Sequence, residues 1–203
     1  MKNKEGGKRI RNKLTLDVPK GKEFHKHKKK YKGVFMNQSD NVTEVFKSFF
    51  LKEKFDRIID IGTSRGGFTL FLAEQEICTV YTFDIEDGVE ATIKQRLKDL
   101  SVRIFIQNIF ETNDVIDTIN MAGRSLILCD NGDKFKELKM CSKHMSINDV
   151  IMVHDYLKDV ETYHNQNIWK TCAFMDEYVK DDTLISFYQD EFAKAFWMCR
   201  IKQ

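Results

Sequence analysis

Between the β-rich run at 57–61 (RIIDI) and the apolar stretch at 68–73 the chain carries Asp60-Ile61-Gly62-Thr63-Ser64-Arg65-Gly66-Gly67. A glycine-bearing loop directly between a strand and a helix lets the backbone turn sharply and approach a ligand closely. The unpaired N–H groups at the helix start attract an anionic or polar group. Asp60, Gly62, Thr63, Ser64, Gly66 and Gly67 are therefore the candidate cofactor-binding residues, with a plain tight turn as the alternative use. The spacing departs from the dinucleotide fingerprint G-x-G-x-x-G. With Gly62 and Gly67 as outer glycines the middle position is Ser64, which impairs the fit of a pyrophosphate. Asp84 lies 22 positions after Gly62 at a strand end, where a carboxylate can accept hydrogen bonds from both hydroxyls of a ribose. Gln107 and Asn108, at the end of the next strand, are placed to bond an adenine edge, or to form a turn.

These residues depend on alternating elements. Val42, Val45, Phe46, Phe49 and Phe50 recur at intervals of three and four, marking one apolar helix face that begins near Ser39 or Asp40. Short β-rich runs follow at 57–61, 80–85, 102–106, 125–129 and 150–153, interleaved with helical patterns from 68, at 91–100, at 114–121 and at 134–144. Residues 125–129 (SLILC) and 150–153 (VIMV) are nearly all apolar, as in parallel strands covered on both faces. A helix around 169–179 and a closing antiparallel pair at 183–188 and 195–201 complete the pattern. Alternation of this kind predicts an α/β, Rossmann-like fold, a mostly parallel sheet with helices on both faces and ligands at the carboxyl ends of the strands.

The loop 60–67 resembles the first motif of class I S-adenosylmethionine-dependent methyltransferases, with Ser64 in place of the usual second glycine, and Asp84 and Gln107-Asn108 fall where that family contacts ribose and adenine. The resemblance spans roughly residues 38–201 and implies a seven-stranded sheet with an antiparallel C-terminal strand. Gln38-Ser39, DIGTSRGGFTLFLAE, LILCDNGDK and VIMVHDY are similar to a branch containing cephalosporin hydroxylase-like and macrocin-type O-methyltransferases. That branch implies a Mg²⁺ site at the ends of the fourth and fifth strands, here Asp130 and Asp155, with Asp133 and His154 nearby. Asp130 and His154 are the implied catalytic pair, and His154 has a purely structural role as its alternative. The pattern offers His154-Asp155 where two adjacent carboxylates would bind metal better. The implied activity is O-methylation of a small hydroxylated acceptor, such as a sugar. DIGTSRGGFTL also resembles the cofactor loop of ribose 2′-O-methyltransferases, which makes RNA the alternative acceptor, and a non-catalytic binding or scaffold module is the third reading.

Charge divides the chain. Residues 1–32 hold 13 Lys/Arg against 3 Asp/Glu, leaving 20 against 28 for the rest, so a basic arm of about +10 precedes a body of about −8. The arm is expected to be flexible and solvated, or to contact nucleic-acid phosphates, and residues 33–203 form a single domain. No run approaches the about 18 apolar residues of a membrane helix, and the lysine-rich start has no apolar signal core, so a cytoplasmic location is expected. Cys78, Cys129, Cys141, Cys172 and Cys199 are scattered without paired spacing and read as free thiols. Phe187, Tyr188, Phe192, Phe196 and Trp197 read as core packing, and Tyr163 and Trp169 as candidates to line an acceptor pocket.

Overall fold

The computed structural model describes residues 29–157 and 176–203. A seven-stranded sheet organises them. Its strands are β3 (Arg57–Ile61), β4 (Thr79–Asp84), β5 (Arg103–Ile106), β6 (Ser125–Cys129), β7 (Val150–His154), β8 (Leu184–Ser186) and β9 (Trp197–Lys202), in the spatial order β5-β4-β3-β6-β7-β9-β8. β3 pairs in parallel with β4 and β6, β6 with β7 and β4 with β5, whereas β9 runs antiparallel to both of its neighbours. The order reverses at β3, so the crevice at the carboxyl ends of β3, β4 and β6 is the place where such sheets bind ligands.

Period-two alternation in all-apolar strands feeds two cores. Ile58, Leu126, Leu128, Val150 and Met152 face one side, packing with α1 (Val42–Lys52), α2 (Gly67–Ala73), α3 (Ala91–Asp99) and α6 (Gln189–Ala193). Ile59, Ile61, Ile127, Cys129, Ile151 and Val153 face the other, under α4 (Asp114–Ile119) and α5 (Lys134–Cys141). The stripe of α1 buries Val42, Phe46, Phe49 and Phe50, and Phe46 meets Phe68, Phe192 and Trp197 edge-on at 5.0–5.7 Å. Among the described residues the expected sheet, closing pair and the helix faces up to residue 144 are present. α6, inserted between the closing strands, has no counterpart in the sequence pattern, because five residues are too few to show a helical period.

One boundary moves. Lys29–Tyr31 (β1) and Val34–Met36 (β2) form an antiparallel hairpin, so residues 29–32, which charge alone assigns to the basic arm, belong to the fold. The Tyr31 ring stands edge-on to Phe71 at 5.5 Å and its hydroxyl donates to Glu74 at 2.7 Å. Lys32 and Arg96 also pair with Glu74. Burial resists ionisation of Glu74, but these three partners outweigh it and hold the carboxyl below its ordinary range. The cysteines within the described residues are free, and among those residues no helix is long and apolar enough to cross a membrane. The arm up to residue 28, with Tyr163, Trp169, Cys172 and most of the helix expected at 169–179, lies outside the described residues. Of that helix, Asp176–Tyr178 is a single 3₁₀ turn.

The hairpin lies directly on the glycine loop. A Cβ on Gly67 would stand 2.2 Å from the backbone oxygen of Phe35 and 2.7 Å from its carbonyl carbon, and backbone cannot yield as a flexible side chain does. Gly67→Ala should therefore displace the hairpin and cost about 1–3 kcal/mol, read as a lowered midpoint in urea denaturation; an unchanged midpoint would mean the contact is looser than drawn.

Candidate functional site

The site grows from the carboxyl ends of β3, β4, β6 and β7. Register places Asp60 beside Thr82 across β3 and β4, and Cys129 beside Val153 across β6 and β7, which brings Asp130 next to His154. On the other side of β7 the register pairs His154 with Trp197. Asp130 N–H continues the ladder by donating to Ile61 O at 2.8 Å. Gly62, at φ 117°, makes this crossing possible: a Cβ there would lie 2.5 Å from Asp130 O.

Asp60 lies beneath the loop, not on it. Its side chain is buried, and Oδ2 accepts from Thr69 Oγ1 on α2 at 2.6 Å and from Thr82 Oγ1 on β4 at 3.1 Å. Thr82 Oγ1 is also 2.6 Å from Thr63 Oγ1. Burial is the main cause that pushes the Asp60 carboxyl up to about 6; the two threonine hydrogen bonds oppose it. Asp60 thus positions the loop from below through Oδ2. Gly66 likewise faces away: a Cβ on it would meet Val89, Ile93 and Leu97 against α3.

Above the loop lies an open cavity of about 590 Å³ lined by Gly62, Ser64, Arg65, Asp84, Asp130 and Asn131, with residues 85–88 on its far wall. Ser64 occupies a left-handed backbone conformation, φ 51°, that favours glycine and costs a side-chain residue about 1–2 kcal/mol. Its N–H donates to Asp84 Oδ2 at 2.7 Å, a charge-assisted bond that offsets this strain. Asp84 Oδ1 accepts from Glu86 N–H at 3.0 Å, so the carboxylate is fixed in place with lone pairs remaining toward the cavity. Gln107 and Asn108 are placed differently. Gln107 Nε2 bonds Thr112 and Asp114, and Asn108 Nδ2 bonds Glu111, all within their own turn.

A narrower slot of about 110 Å³ adjoins this cavity, lined by Met36, Gln38, Gly62, Thr63, Gly67 and Asp130 among others. Asp130 is common to both spaces. Its Oδ1 lies 2.7 Å from His154 Nδ1, which carries the proton toward that carboxylate, and its Oδ2 accepts from Gln38 Nε2 at 2.6 Å. Gln38 Oε1 in turn accepts from Trp197 Nε1 at 3.0 Å, and the Trp197 ring lies 4.8 Å from the His154 ring. Asp155, at φ 60°, turns its Oδ2 to within 3.1 Å of Lys134 Nζ, which is 3.7 Å from Asp130 Oδ1. Burial disfavours the charged forms of His154 and Lys134, but Asp130 and Asp155 outweigh it and hold both pKa values above their ordinary ranges.

Asp130, His154 and Asp155 each offer a ligand atom, all within 4.8 Å of one another. Lys134 already brings a positive charge to this group, and both oxygens of Asp130 have donors, so the residues as arranged fit a divalent cation poorly. Asp133 faces its own helix, capping α5 by accepting from Lys136 N–H at 3.1 Å, while buried Glu137 reaches back to the N–H groups of Asn131 and Asp133. Burial leads the causes that raise the Glu137 carboxyl to about 7. Gln38, Lys134 and Trp197 were not among the candidate site residues. Lys134 had a signal, four residues after Asp130 at a helix start, whereas the Trp197–Gln38 bond joins positions 159 residues apart.

A family model described as FtsJ-like methyltransferase matches residues 40–196. No curated protein matches the chain. Solved structures of similar fold include CmcI with Mg and SAM, at TM-score 0.59 and 14% identity over 91% of this chain and 82% of that one. The O-methyltransferase TomG from Streptomyces achromogenes, in complex with SAM, gives TM-score 0.51 and 14% identity over 81% of each chain. A putative caffeoyl-CoA O-methyltransferase from Staphylococcus aureus gives 0.55 and 13% identity over 81% and 84%. At these identities the likeness is one of fold.

Asp60 supplies a pH test of the loop's foundation. Its folded pKa of about 6 lies above the ordinary value of 3.8, so the charged form is disfavoured on folding. Its contribution to stability is full below the unfolded pKa and is lost as pH rises through the folded one. Relative to Asp60→Asn, which does not titrate, the native protein should lose about 1–1.5 kcal/mol between pH 5 and pH 8, measured as the change in the difference between their urea unfolding free energies. A difference independent of pH would show that Asp60 titrates normally.

Proposed function

The chain belongs to the FtsJ-like methyltransferase family and is an S-adenosylmethionine-dependent methyltransferase, and from that premise we propose that it methylates a hydroxyl of a small acceptor at Asp130. The observation that carries this reading is the position of Asp130, which lines both the cavity over the glycine loop and the slot beside it.

Charge supports the assignment of the larger cavity. Asp84, Glu86, Asp87 and Asp130 line it against Arg65, an acidic surround suited to a sulfonium and an ammonium and unfavourable to a pyrophosphate. In this reading Asp84 accepts hydrogen bonds from the ribose hydroxyls, and Gly62 lets the loop cross closely beneath Asp130 at the cavity's edge. When bound, S-adenosylmethionine would supply an electrophilic methyl group on a positive sulfur for the acceptor oxygen, with S-adenosylhomocysteine as the departing product. Asp130 takes up the proton that the hydroxyl releases. His154, donating to Oδ1, and Gln38, donating to Oδ2, fix the carboxylate's plane, so alignment is built before the acceptor arrives. Trp197 holds Gln38 in the amide orientation that this requires.

A ribose hydroxyl of RNA is the second reading, favoured by one observation. Lys30, Lys32 and Arg65 line a third cavity, of about 640 Å³, between the hairpin and α3, where the chain enters from its most basic residues. RNA binding that weakens with salt and is lost on deleting residues 1–28 would support this acceptor.

Calorimetric titration with S-adenosylmethionine should show saturable binding that Asp84→Ala weakens at least roughly ten-fold. Asp130→Ala should lower kcat by about 10²–10⁴ on an acceptor found in a panel of hydroxylated compounds, a loss larger than any it causes in cofactor affinity. Turnover untouched by Asp130→Ala would remove Asp130 from the chemistry, and absence of binding by the native chain would favour a scaffold.

A further inference from the structure

We propose that Lys134 is the resident cation of the Asp130–His154–Asp155 cluster, its ammonium held where a divalent ion would have to sit, so that the site excludes metal. The inference rests on reading this cluster as the acceptor site, but its test does not depend on turnover.

Geometry carries the proposal. The three candidate ligand atoms lie within 4.8 Å of one another, a spacing that by itself would suit a metal. Lys134 Nζ stands 3.1 Å from Asp155 Oδ2 and 3.7 Å from Asp130 Oδ1, and donates to Asn131 O at 2.9 Å. A strongly hydrated divalent ion such as Mg²⁺ requires about six oxygen ligands in octahedral array. Here Asp130 presents oxygens already bonded by His154 and Gln38, and the His154 nitrogen in the cluster is the one directed at Asp130.

The ammonium is also tethered. Lys134 opens α5, whose first turn is fixed by the Asp133 cap and by Glu137 bonding back to Asp133 N–H. Its side chain is only 13% exposed, so the ammonium is held largely out of solvent beside the two acids. A lysine carries one charge and three donors on a compact tip, enough to offset part of the charge of the two carboxylates. A divalent ion would have to displace it or sit beside it against like charge.

Electron paramagnetic resonance with Mn²⁺ tests this on the full chain, because Mn²⁺ accepts the same oxygen and imidazole donors and its free form is counted directly. The native protein should bind no Mn²⁺ at the cluster up to about 1 mM, while Lys134→Gln should gain one site at least roughly ten-fold tighter than that limit, lost again in Lys134→Gln/Asp155→Ala. Lys134→Arg, which keeps the cation, should remain metal-free. Mn²⁺ bound by the native chain and lost in Asp155→Ala would overturn the proposal, as would a folded Lys134→Gln that binds none. If Lys134→Gln is unfolded alone, recovery of its circular dichroism on adding Mn²⁺ supports the proposal, and failure to recover overturns it. S-adenosylhomocysteine titrated into the native chain separates the two ideas: no binding there sinks the methyltransferase site whatever the Mn²⁺ result.

Discussion

Asp60 is a carboxylate buried at the end of the first parallel strand, and the site is assembled around it. A buried polar group must be matched by hydrogen bonds or its desolvation is uncompensated. Asp60 finds its partners in Thr69 and Thr82, which belong to the helix after the loop and to the neighbouring strand. Thr63 joins the same network from within the loop. The carboxylate therefore clamps β3, β4 and α2 together at the point where the backbone must leave the sheet. With that end fixed, Gly62 can pass under Asp130, Ser64 can be held left-handed by Asp84, and Gly67 can receive the hairpin.

Asp130 is the second node, and its environment follows from the first. Parallel pairing of β3, β6 and β7 delivers Asp130 and His154 side by side, and antiparallel β9 brings Trp197 against them. Gln38, reaching in from the segment between β2 and α1, closes the chain of bonds from Trp197 to Asp130. A carboxylate held from both oxygens has little freedom to rotate, which is the preorganisation that methyl transfer requires from a group that does no covalent chemistry. The cost is borne by the fold: Gln38 and His154 are buried polar side chains that depend on this network for partners.

Much of this was legible in the sequence because it is local. The strand–loop–helix order, the apolar runs of parallel strands and the strand-end acids each occupy a few consecutive residues, and the two-residue and 3.6-residue periods separate them clearly. The seven-stranded sheet and its reversed strand followed from the same pattern together with the family resemblance. What escaped was either short or distant. The hairpin at residues 29–36 was hidden because its lysines continue the basic composition of the arm, although Tyr31, Val34 and Met36 supply the apolar contacts that fold it. Asp60 and Gly66 were grouped with the ligand-facing loop residues because spacing cannot tell which side of a turn a residue faces. Gln107 and Asn108 satisfy their own turn, the common use of amides after a strand.

Lys134 shows how a charge pattern can mislead when only the acids are counted. Asp130 and Asp155 at adjacent strand ends suggest a cation, and the inference is sound as electrostatics, because two carboxylates this close need positive charge between them. The sequence supplies that charge four residues after Asp130, at the one place where a helix start brings it back over the strand ends. An ammonium provided by the chain is present in every molecule and needs no ion from solution.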